Sequence, residues 1–125
     1  MNTMEACDIF IGTDIVEVSR IDSSISTSGK RFLNRIYTEI EQKYCDSKPN
    51  PSIHYAGRFA AKEAVMKALK SSGHNKPIPF TSIDVYSKNN GEPVVILNID
   101  YKGKCKVSIS HTDTYAIASA ILISE

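Results

Sequence analysis

The sequence has few cysteines, and their spacing forms no recognisable metal or disulfide pattern. Three occur among 125 residues, Cys7, Cys45 and Cys105, widely separated and without a Cys-x-x-Cys pair. An odd number at such spacing indicates neither a structural zinc site nor a disulfide framework. Free thiols suit a reducing compartment, so the cysteines favour a cytoplasmic location.

An excess of charge of one sign is also lacking, as is any long hydrophobic run. Lys and Arg number 15 against 14 Asp and Glu, which gives a formal net charge of +1. A general nucleic-acid-binding protein would be expected to carry a basic excess. Residues 1–18 lack the basic and apolar regions of a signal peptide, and no apolar run approaches the roughly 20 residues of a membrane helix. We therefore expect a cytoplasmic protein that binds neither nucleic acid nor a membrane.

The overall composition is typical of a globular protein. Hydrophobic residues make up 42% of the chain and charged residues 23%, which are ordinary values. The length is sufficient for a hydrophobic core. Because no repeat, low-complexity tract or linker divides the sequence, we predict a single domain over residues 1–125.

Residues 58–69, RFAAKEAVMKAL, have the strongest helical pattern in the chain. They contain no Gly or Pro and are rich in strong helix formers. Apolar and mostly small side chains recur on one side at helical spacing: Ala61, Ala64, Val65, Ala68 and Leu69. On another side Glu63 and Lys67 are one turn apart, and taken alone they indicate an exposed i,i+4 ion pair on an amphipathic helix. We expect this helix to start near Ile53 and to end at residue 70 or 71.

The segment before this helix predicts one strand and several short helices. Residues 8–18 form an Ile- and Val-rich strand, in which Gly12 suggests a bulge or a close backbone approach. A short helix capped by Asp22 or Ser23 is predicted next, followed by helical spacing over residues 30–36. Thr38 and Glu41 then form a capping-box pattern that predicts the start of another short helix.

The segment after the central helix predicts strands at 82–87, 93–100, 104–111 and 115–123. Asn90-Gly91 is a hairpin signal between the first two. One strand, then helices, then a run of strands indicates an α+β fold, with an antiparallel β-meander packed against a long central helix.

Three clusters of polar residues each have an ordinary structural explanation when taken alone, but together they indicate a functional site. They are Gly12-Thr13-Asp14, the segment around Glu63, and Ser110-His111-Thr112. A single carboxylate on a strand is usually a capping residue or lies at the edge of a sheet. A lone histidine usually has a structural role. In combination the clusters suit a magnesium-bound pyrophosphate.

Mg²⁺ typically takes one or two protein carboxylates, keeps water ligands and binds phosphate oxygens. Asp14 and Glu63 are the candidate ligands, and Mn²⁺ would suit the same pair. No glycine-rich phosphate loop of the Walker or dinucleotide type is present, so the binding mode must differ from those. The candidates to neutralise or hydrogen-bond the phosphates are Arg58, Lys62, Lys67, Ser110, His111 and Thr112.

With the clusters in this order, the chain resembles the holo-acyl-carrier-protein synthases, which are stand-alone 4′-phosphopantetheinyl transferases. The family pattern is a GxD strand followed by an Arg-Ile pair, then F/W-x-x-K-E-A-x-x-K-A, then S-x-S-H-T/S with a nearby Tyr-Ala. Its parts here are Gly12-Thr13-Asp14 with Arg20-Ile21, residues 59–68, and residues 108–112 with Tyr115-Ala116. The resemblance extends from about Asp8 to Ile123, and the N-terminal MNTMEAC is longer than the family usually shows.

The resemblance implies transfer of the phosphopantetheine arm of coenzyme A to a serine of apo-acyl-carrier protein. Adenosine 3′,5′-bisphosphate would be the other product, and the reaction would support fatty acid biosynthesis. Asp14 and Glu63 match the family's magnesium ligands, and Lys67 matches the lysine beside the pyrophosphate. The proton of the serine would pass either to Glu63 or to a metal-bound water held by Asp14.

The resemblance also implies which residues contact the coenzyme and the carrier. Arg58, His111 and Thr112 match residues around the phosphates and nucleoside, and the turn Gly91–Pro93 matches one near the adenine. Arg20 matches an arginine that contacts the acidic helix of the carrier. The family's small members are trimers with the site between subunits, so one subunit would supply Asp14, Glu63 and Lys67 and its neighbour would supply His111 or the Gly91–Pro93 turn.

Two alternative functions would also account for part of this set of residues. A magnesium-dependent hydrolase of nucleotide pyrophosphates would also use Asp14, Glu63 and the lysines, but it would not need Arg20. A catalytically silent trimeric module that only binds carrier proteins would be expected to have lost Asp14 and Glu63, and both are present.

Overall fold

The computed structural model describes residues 8–125, in which a strand and four helices precede two β-hairpins. The segment 1–7, with Cys7, lies outside the described residues. In chain order the elements are β1 (Ile9–Glu17), α1 (Val18–Ser28), α2 (Lys30–Ile36), α3 (Glu39–Asp46), α4 (Pro51–Ser71), a 3₁₀ turn (Phe80–Ser82), β2 (Ile83–Ser87), β3 (Pro93–Leu97), β4 (Gly103–His111) and β5 (Tyr115–Ser124).

The strands of this α+β fold form two antiparallel sheets. One sheet has the order β1-β5-β4 and the other pairs β2 with β3. The predicted meander is thus divided between them, because the chain leaves β3 through a bend at residues 98–102 before β4 begins. Strand β5 pairs with β1 on one side and with β4 on the other. Its residue Ala118 lies opposite Asp14 of β1 and opposite Ile109 of β4.

Helix α4 packs closely against β1 and β5 because its inward face is built from small residues. The residues Ala61, Ala64, Val65, Ala68 and Leu69 are all fully buried, as the periodicity predicts. The close approach predicted at Gly12 is also confirmed. A Cβ atom at this position would overlap the carbonyl oxygen of Ala64 and lie 2.8 Å from the Ala68 nitrogen.

The ends of the helices follow local sequence signals with one exception. Helix α4 begins at Pro51, two residues before the predicted start near Ile53, because the missing N–H of proline costs nothing in the first turn. The Thr38 backbone donates to Glu41 Oε1 at 2.8 Å, and the Glu41 backbone donates to Thr38 Oγ1 at 3.3 Å, which confirms the capping box. The cap predicted at Asp22 or Ser23 is wrong, because α1 already begins at Val18, whose burial favours an immediate turn from β1.

The outer face of the β1-β5-β4 sheet carries many large apolar side chains that α4 does not cover. Contiguous exposed apolar surface of this kind commonly marks an interaction site. The exposed residues are Ile9, Ile11 and Ile15 from β1, and Tyr115, Ile117 and Ile121 from β5.

Candidate active site in two clefts

Asp14 and Lys67 meet where β1 crosses α4. Alternation along β1 turns Gly12 and Asp14 toward the helix, whereas Ile11 and Ile15 face outward. The Lys67 ammonium lies 3.2 Å from Asp14 Oδ1 and donates to the Thr13 carbonyl at 2.9 Å. Lys67 therefore pairs with Asp14 across two elements, and not with Glu63 along its own helix.

Asp14 and Glu63 line one cleft of about 320 Å³ together with Arg20. Its apolar wall includes Phe32 and Phe59. Burial raises the pKa of the Glu63 carboxyl, and the nearby Asp14 raises it further, whereas Lys67 acts in the opposite direction. Two carboxylates beside one space repel each other when both are ionised, and a cation between them would relieve that repulsion.

This pair of carboxylates fits Mg²⁺ better than a structural zinc ion. No group of three or more potential His, Cys, Asp or Glu ligands occurs within residues 8–125, whereas structural zinc is usually held by four such side chains. Magnesium keeps several waters and accepts substrate phosphate oxygens, so two carboxylates suffice. The donor set and its electrostatics therefore fit the metal that the sequence predicts.

A second cleft, of about 170 Å³, brings together four residues predicted to bind the coenzyme. They come from α4, the β2–β3 turn, the start of β3 and β4, and they are Arg58, Gly91, Pro93 and His111. Gly91 has φ +89°, which is why glycine suits this turn. Tyr44, His54 and Ser87 complete much of the wall.

Arg58 lines the second cleft and is almost fully buried. It is only 5% exposed, and its Nη2 donates to Ser87 Oγ at 2.7 Å. Its guanidinium carbon lies 4.1 Å from the centre of the Tyr44 ring, a cation–π geometry that holds the side chain in place. Its buried Nε has no hydrogen-bond partner among the described residues, so a polar donor is available there.

Sequence reasoning missed three polar residues of the second cleft: Tyr44, His54 and Ser87. They lie outside the three motifs, so the family pattern does not indicate them. One signal was present for His54, which precedes Arg58 by four residues and therefore shares its helix face. Tyr44 and Ser87 reach the cleft through tertiary packing of α3 and β2, which no local pattern reveals.

Ser110 and Thr112 do not line either cleft. Ser110 is exposed and alternates along β4 with Ile109 and His111, which face the second cleft. The Thr112 hydroxyl accepts from the backbone nitrogens of Thr114 and Tyr115, and so closes the β4–β5 turn. The chain by itself therefore does not place these two side chains beside Arg58.

The structure contradicts the predicted role of Lys62 in binding phosphate. Its side chain is fully buried, and its ammonium lies 2.6 Å from Glu41 Oε1. It also donates at 2.8–3.0 Å to the carbonyl oxygens of Ile36, Phe80 and Ile83. Every donor is thus engaged in joining α4 to α3, α2, the 3₁₀ turn and β2, and none faces a cleft.

The two clefts lie on different sides of α4. Arg58 and Glu63 are five residues apart, which corresponds to about 140° around the helix axis. Accordingly Arg58 lines the second cleft and Glu63 the first. A single chain therefore presents the carboxylates and the coenzyme-binding candidates as two separate half-sites.

Comparison with known proteins identifies the class. The family model described as the 4′-phosphopantetheinyl transferase superfamily matches residues 10–120. A holo-[acyl-carrier-protein] synthase of Chlamydia pneumoniae is 46% identical over 120 residues, covering 93% of this chain and 98% of that protein. The corresponding protein of Protochlamydia amoebophila is 42% identical over 116 residues, covering 89% and 94%.

Solved structures agree with the sequence matches. A holo-(acyl-carrier-protein) synthase from Bacillus anthracis, in complex with CoA (3′,5′-ADP), has a TM-score of 0.81 and 32% identity over 96% of this chain and 100% of its own. The Helicobacter pylori synthase in complex with coenzyme A has a TM-score of 0.77 and 32% identity, covering 91% and 99%. The chain thus belongs to the 4′-phosphopantetheinyl transferase superfamily and, within it, to the holo-acyl-carrier-protein synthases. Within residues 8–125, no helix has the length and apolar character needed to cross a bilayer.

Proposed function

We propose that the protein transfers 4′-phosphopantetheine from coenzyme A to a serine of apo-acyl-carrier protein, with Mg²⁺, and releases adenosine 3′,5′-bisphosphate. The observation that carries the proposal is the pair Asp14 and Glu63 in one cleft with Lys67 alongside, in a chain of this family. The coenzyme-bound relatives support coenzyme A as the donor. A role in fatty acid biosynthesis and a cytoplasmic location are part of the same proposal.

The reaction is a direct displacement. The serine oxygen of the carrier forms a bond to the phosphorus that bears pantetheine, and the bond from that phosphorus to the bridging oxygen breaks. The leaving group departs with that oxygen as adenosine 3′,5′-bisphosphate, and the serine proton passes to a base. No residue of this chain need form a covalent intermediate.

Asp14 and Glu63 would hold Mg²⁺, which supplies charge neutralisation at the reacting phosphates when bound. The Lys67 ammonium, half-exposed beside Asp14, would stabilise negative charge on the leaving phosphate. Glu63 has a raised pKa and faces the cleft, so its carboxylate is also suited to accept the serine proton.

We propose that the protein is a homotrimer with its active sites between subunits. In this arrangement the first cleft of one subunit faces the second cleft of its neighbour, so that Glu63 and Arg58 of different chains contact one coenzyme. Two observations support this: the half-sites are separate in one chain, and the outer sheet face exposes large apolar side chains, such as Ile11 at 65% and Ile15 at 62%. Association would bury that face.

We propose that Arg20 contacts the carrier. It is exposed and lines the cleft of Asp14 and Glu63, so an acidic carrier helix bound there would bring its serine close to the carboxylates. Exposed Lys30, Arg31 and Arg35 on α2 extend the positive surface. Such a surface accelerates association with an acidic partner in a salt-dependent way.

Arg20→Ala should therefore raise the KM for the carrier about fivefold at low salt while leaving the KM for coenzyme A unchanged. Arg35→Ala, farther along the same surface, serves as the matched control and should have a smaller effect. The difference should shrink as ionic strength rises. A higher KM for coenzyme A in Arg20→Ala would contradict the docking role.

Intact-mass analysis of apo-acyl-carrier protein tests the reaction itself. Incubation with the protein, coenzyme A and Mg²⁺ should add one phosphopantetheine to the carrier, and EDTA should abolish the gain. Metal-dependent breakdown of coenzyme A without any gain would indicate a hydrolase instead. No change in either molecule would indicate a binding module and would refute the proposed transfer.

A further inference from the structure

The second cleft carries more positive charge than the family motifs account for. His54 and His111 lie with their ring centres 5.6 Å apart, and His54 also packs edge-on against Tyr44 at 5.9 Å. Arg58 and Lys48 each lie over the Tyr44 ring, at 4.1 and 4.7 Å. Four potential cations from α4, β4 and the α3–α4 connection therefore cluster here, three of them against the Tyr44 ring and His111 against His54.

No Asp or Glu occurs among the described residues that line this cleft. Two carboxylates in adjoining segments have partners of their own. Asp46 accepts from the Tyr55 hydroxyl at 2.7 Å, and Glu92 pairs with Lys88 at 3.1 Å. The cluster of cations is therefore not neutralised by the side chains that line the cleft.

The buried Nε of Arg58 adds an independent observation. The side chain is 95% buried, lines the cleft, and leaves this donor without a partner among the described residues. Leaving a buried charged group incompletely hydrogen-bonded is costly. An anion bound in the cleft would satisfy the donor and offset the repulsion among the cations.

We propose that His54, which belongs to none of the family motifs, is a further phosphate-binding residue that takes up a proton as the coenzyme binds. This inference rests on the proposed function, and it assigns to His54 the phosphate monoester of coenzyme A. A monoester carries close to two negative charges at neutral pH. The pyrophosphate is the reacting group and belongs with the magnesium carboxylates in the other cleft.

The electrostatics of the free protein explain why the proton would be taken up on binding. Burial lowers the pKa of His54, and the positive charges of His111, Arg58 and Lys48 lower it further. His54 is therefore largely neutral near pH 7 before the ligand arrives. A dianion beside the ring reverses the balance and favours the imidazolium, which donates from both nitrogens.

Calorimetric titration with adenosine 3′,5′-bisphosphate tests the proposal. Titrations near pH 7 in two buffers of different ionisation enthalpy give the number of protons taken up. The wild-type protein should take up a proton that His54→Gln does not. Between about pH 6.5 and 8.5, the wild-type Kd should rise about tenfold more than that of His54→Gln. Ionisation of the phosphate is common to both proteins and cancels in this comparison.

Two further variants make the test specific. His54→Phe keeps an aromatic ring against Tyr44 but has no ionisable nitrogen, so it should behave like His54→Gln. His74→Gln changes a histidine in the loop after α4, outside the second cleft, and should retain the wild-type proton uptake. Coenzyme A that lacks its phosphate monoester should show no uptake that depends on His54.

The outcomes separate this inference from the proposed function. Absence of proton uptake in the wild-type protein, or equal uptake in His54→Gln, would overturn the inference while leaving coenzyme binding intact. Full wild-type affinity in His54→Phe would indicate ring stacking and would also overturn it. Failure of the wild-type protein to bind either coenzyme A or the bisphosphate would overturn the proposed function and this inference with it.

Discussion

Glu63 combines a proposed role in binding magnesium with an electrostatic cost to the stability of the folded protein. Its carboxyl shares a cleft with Asp14, and its pKa is raised by burial and by that neighbour. Between the pKa of the Glu63 carboxyl in the unfolded chain and its higher pKa in the folded protein, the folded state binds more protons than the unfolded state. Stability therefore falls as pH rises through that range, and the ionised carboxylate costs stability at neutral pH.

Glu63→Gln should lower kcat at least about 100-fold, because it removes a charged ligand at the reacting phosphates. Without added metal, however, its thermal midpoint at neutral pH should be higher than that of the wild-type protein. Mg²⁺ should raise the wild-type midpoint and leave that of the variant unchanged. Differential scanning calorimetry at pH 5 and pH 7.5, with and without Mg²⁺, measures these shifts, and normal turnover in the variant would contradict the assignment.

At the scale of single residues, the sequence predicts that Asp14 and Glu63 act together, and both line the first cleft, whereas its prediction for Lys62 is wrong. Lys62 and Lys67 have the same side chain in the same motif, and both were expected to meet phosphate. They are five residues apart along α4, so their side chains point to different sides of the helix. Lys62 is buried against α3, where it forms an ion pair with Glu41. Which side of a helix is covered depends on the packing of distant segments, so the local pattern cannot decide it.

At the scale of elements, the approach of β1 to α4 determines where Asp14 meets Lys67. Gly12→Ala would drive a methyl group into the backbone of α4 at Ala64, where a rigid helix cannot give way. We expect a loss of about 2–4 kcal/mol in the free energy of unfolding. Urea denaturation measures it, with exposed Thr13→Ala as a control that should change stability by less than about 0.5 kcal/mol. Equal midpoints for both variants would contradict the close packing.

The buried ion pair of Glu41 and Lys62 joins α3 to α4. Lys62→Met should cost about 3–5 kcal/mol, because it leaves the Glu41 carboxylate buried without its counter-charge. Adding Glu41→Gln to Lys62→Met should recover part of this loss, since the unpaired charge is then removed. A double-mutant cycle by urea denaturation gives the coupling, and strictly additive losses would contradict a direct pair.

Much of the element layout could be predicted because its signals are local. The capping box at Thr38 and the Asn90-Gly91 turn depend on neighbouring residues, and the structure confirms both. The division of the strands into two sheets could not be predicted. Nor could the pairing of β1 with β5, because it joins segments from opposite ends of the described residues and no local signal encodes it.

At the scale of the whole molecule, one chain holds the two sets of candidate site residues apart. The carboxylates lie in one cleft, and Arg58 and His111 lie in another. The sequence predicts both sets from their motifs, whereas their separation around α4 becomes visible only once the fold is known. That the whole chain forms one domain and that three copies assemble stay predictions.

The most direct test of an active site between subunits is complementation between two inactive variants. Glu63→Gln and Arg58→Ala each damage a different half-site, so each alone should be nearly inactive. In trimers mixed by co-expression in equal amounts, some interfaces join an intact Glu63 to an intact Arg58 from the neighbour. If the site lies between subunits, random mixing should restore about a quarter of the wild-type activity. Activity no higher than that of the separate variants would show that each chain completes its own site and would contradict the account.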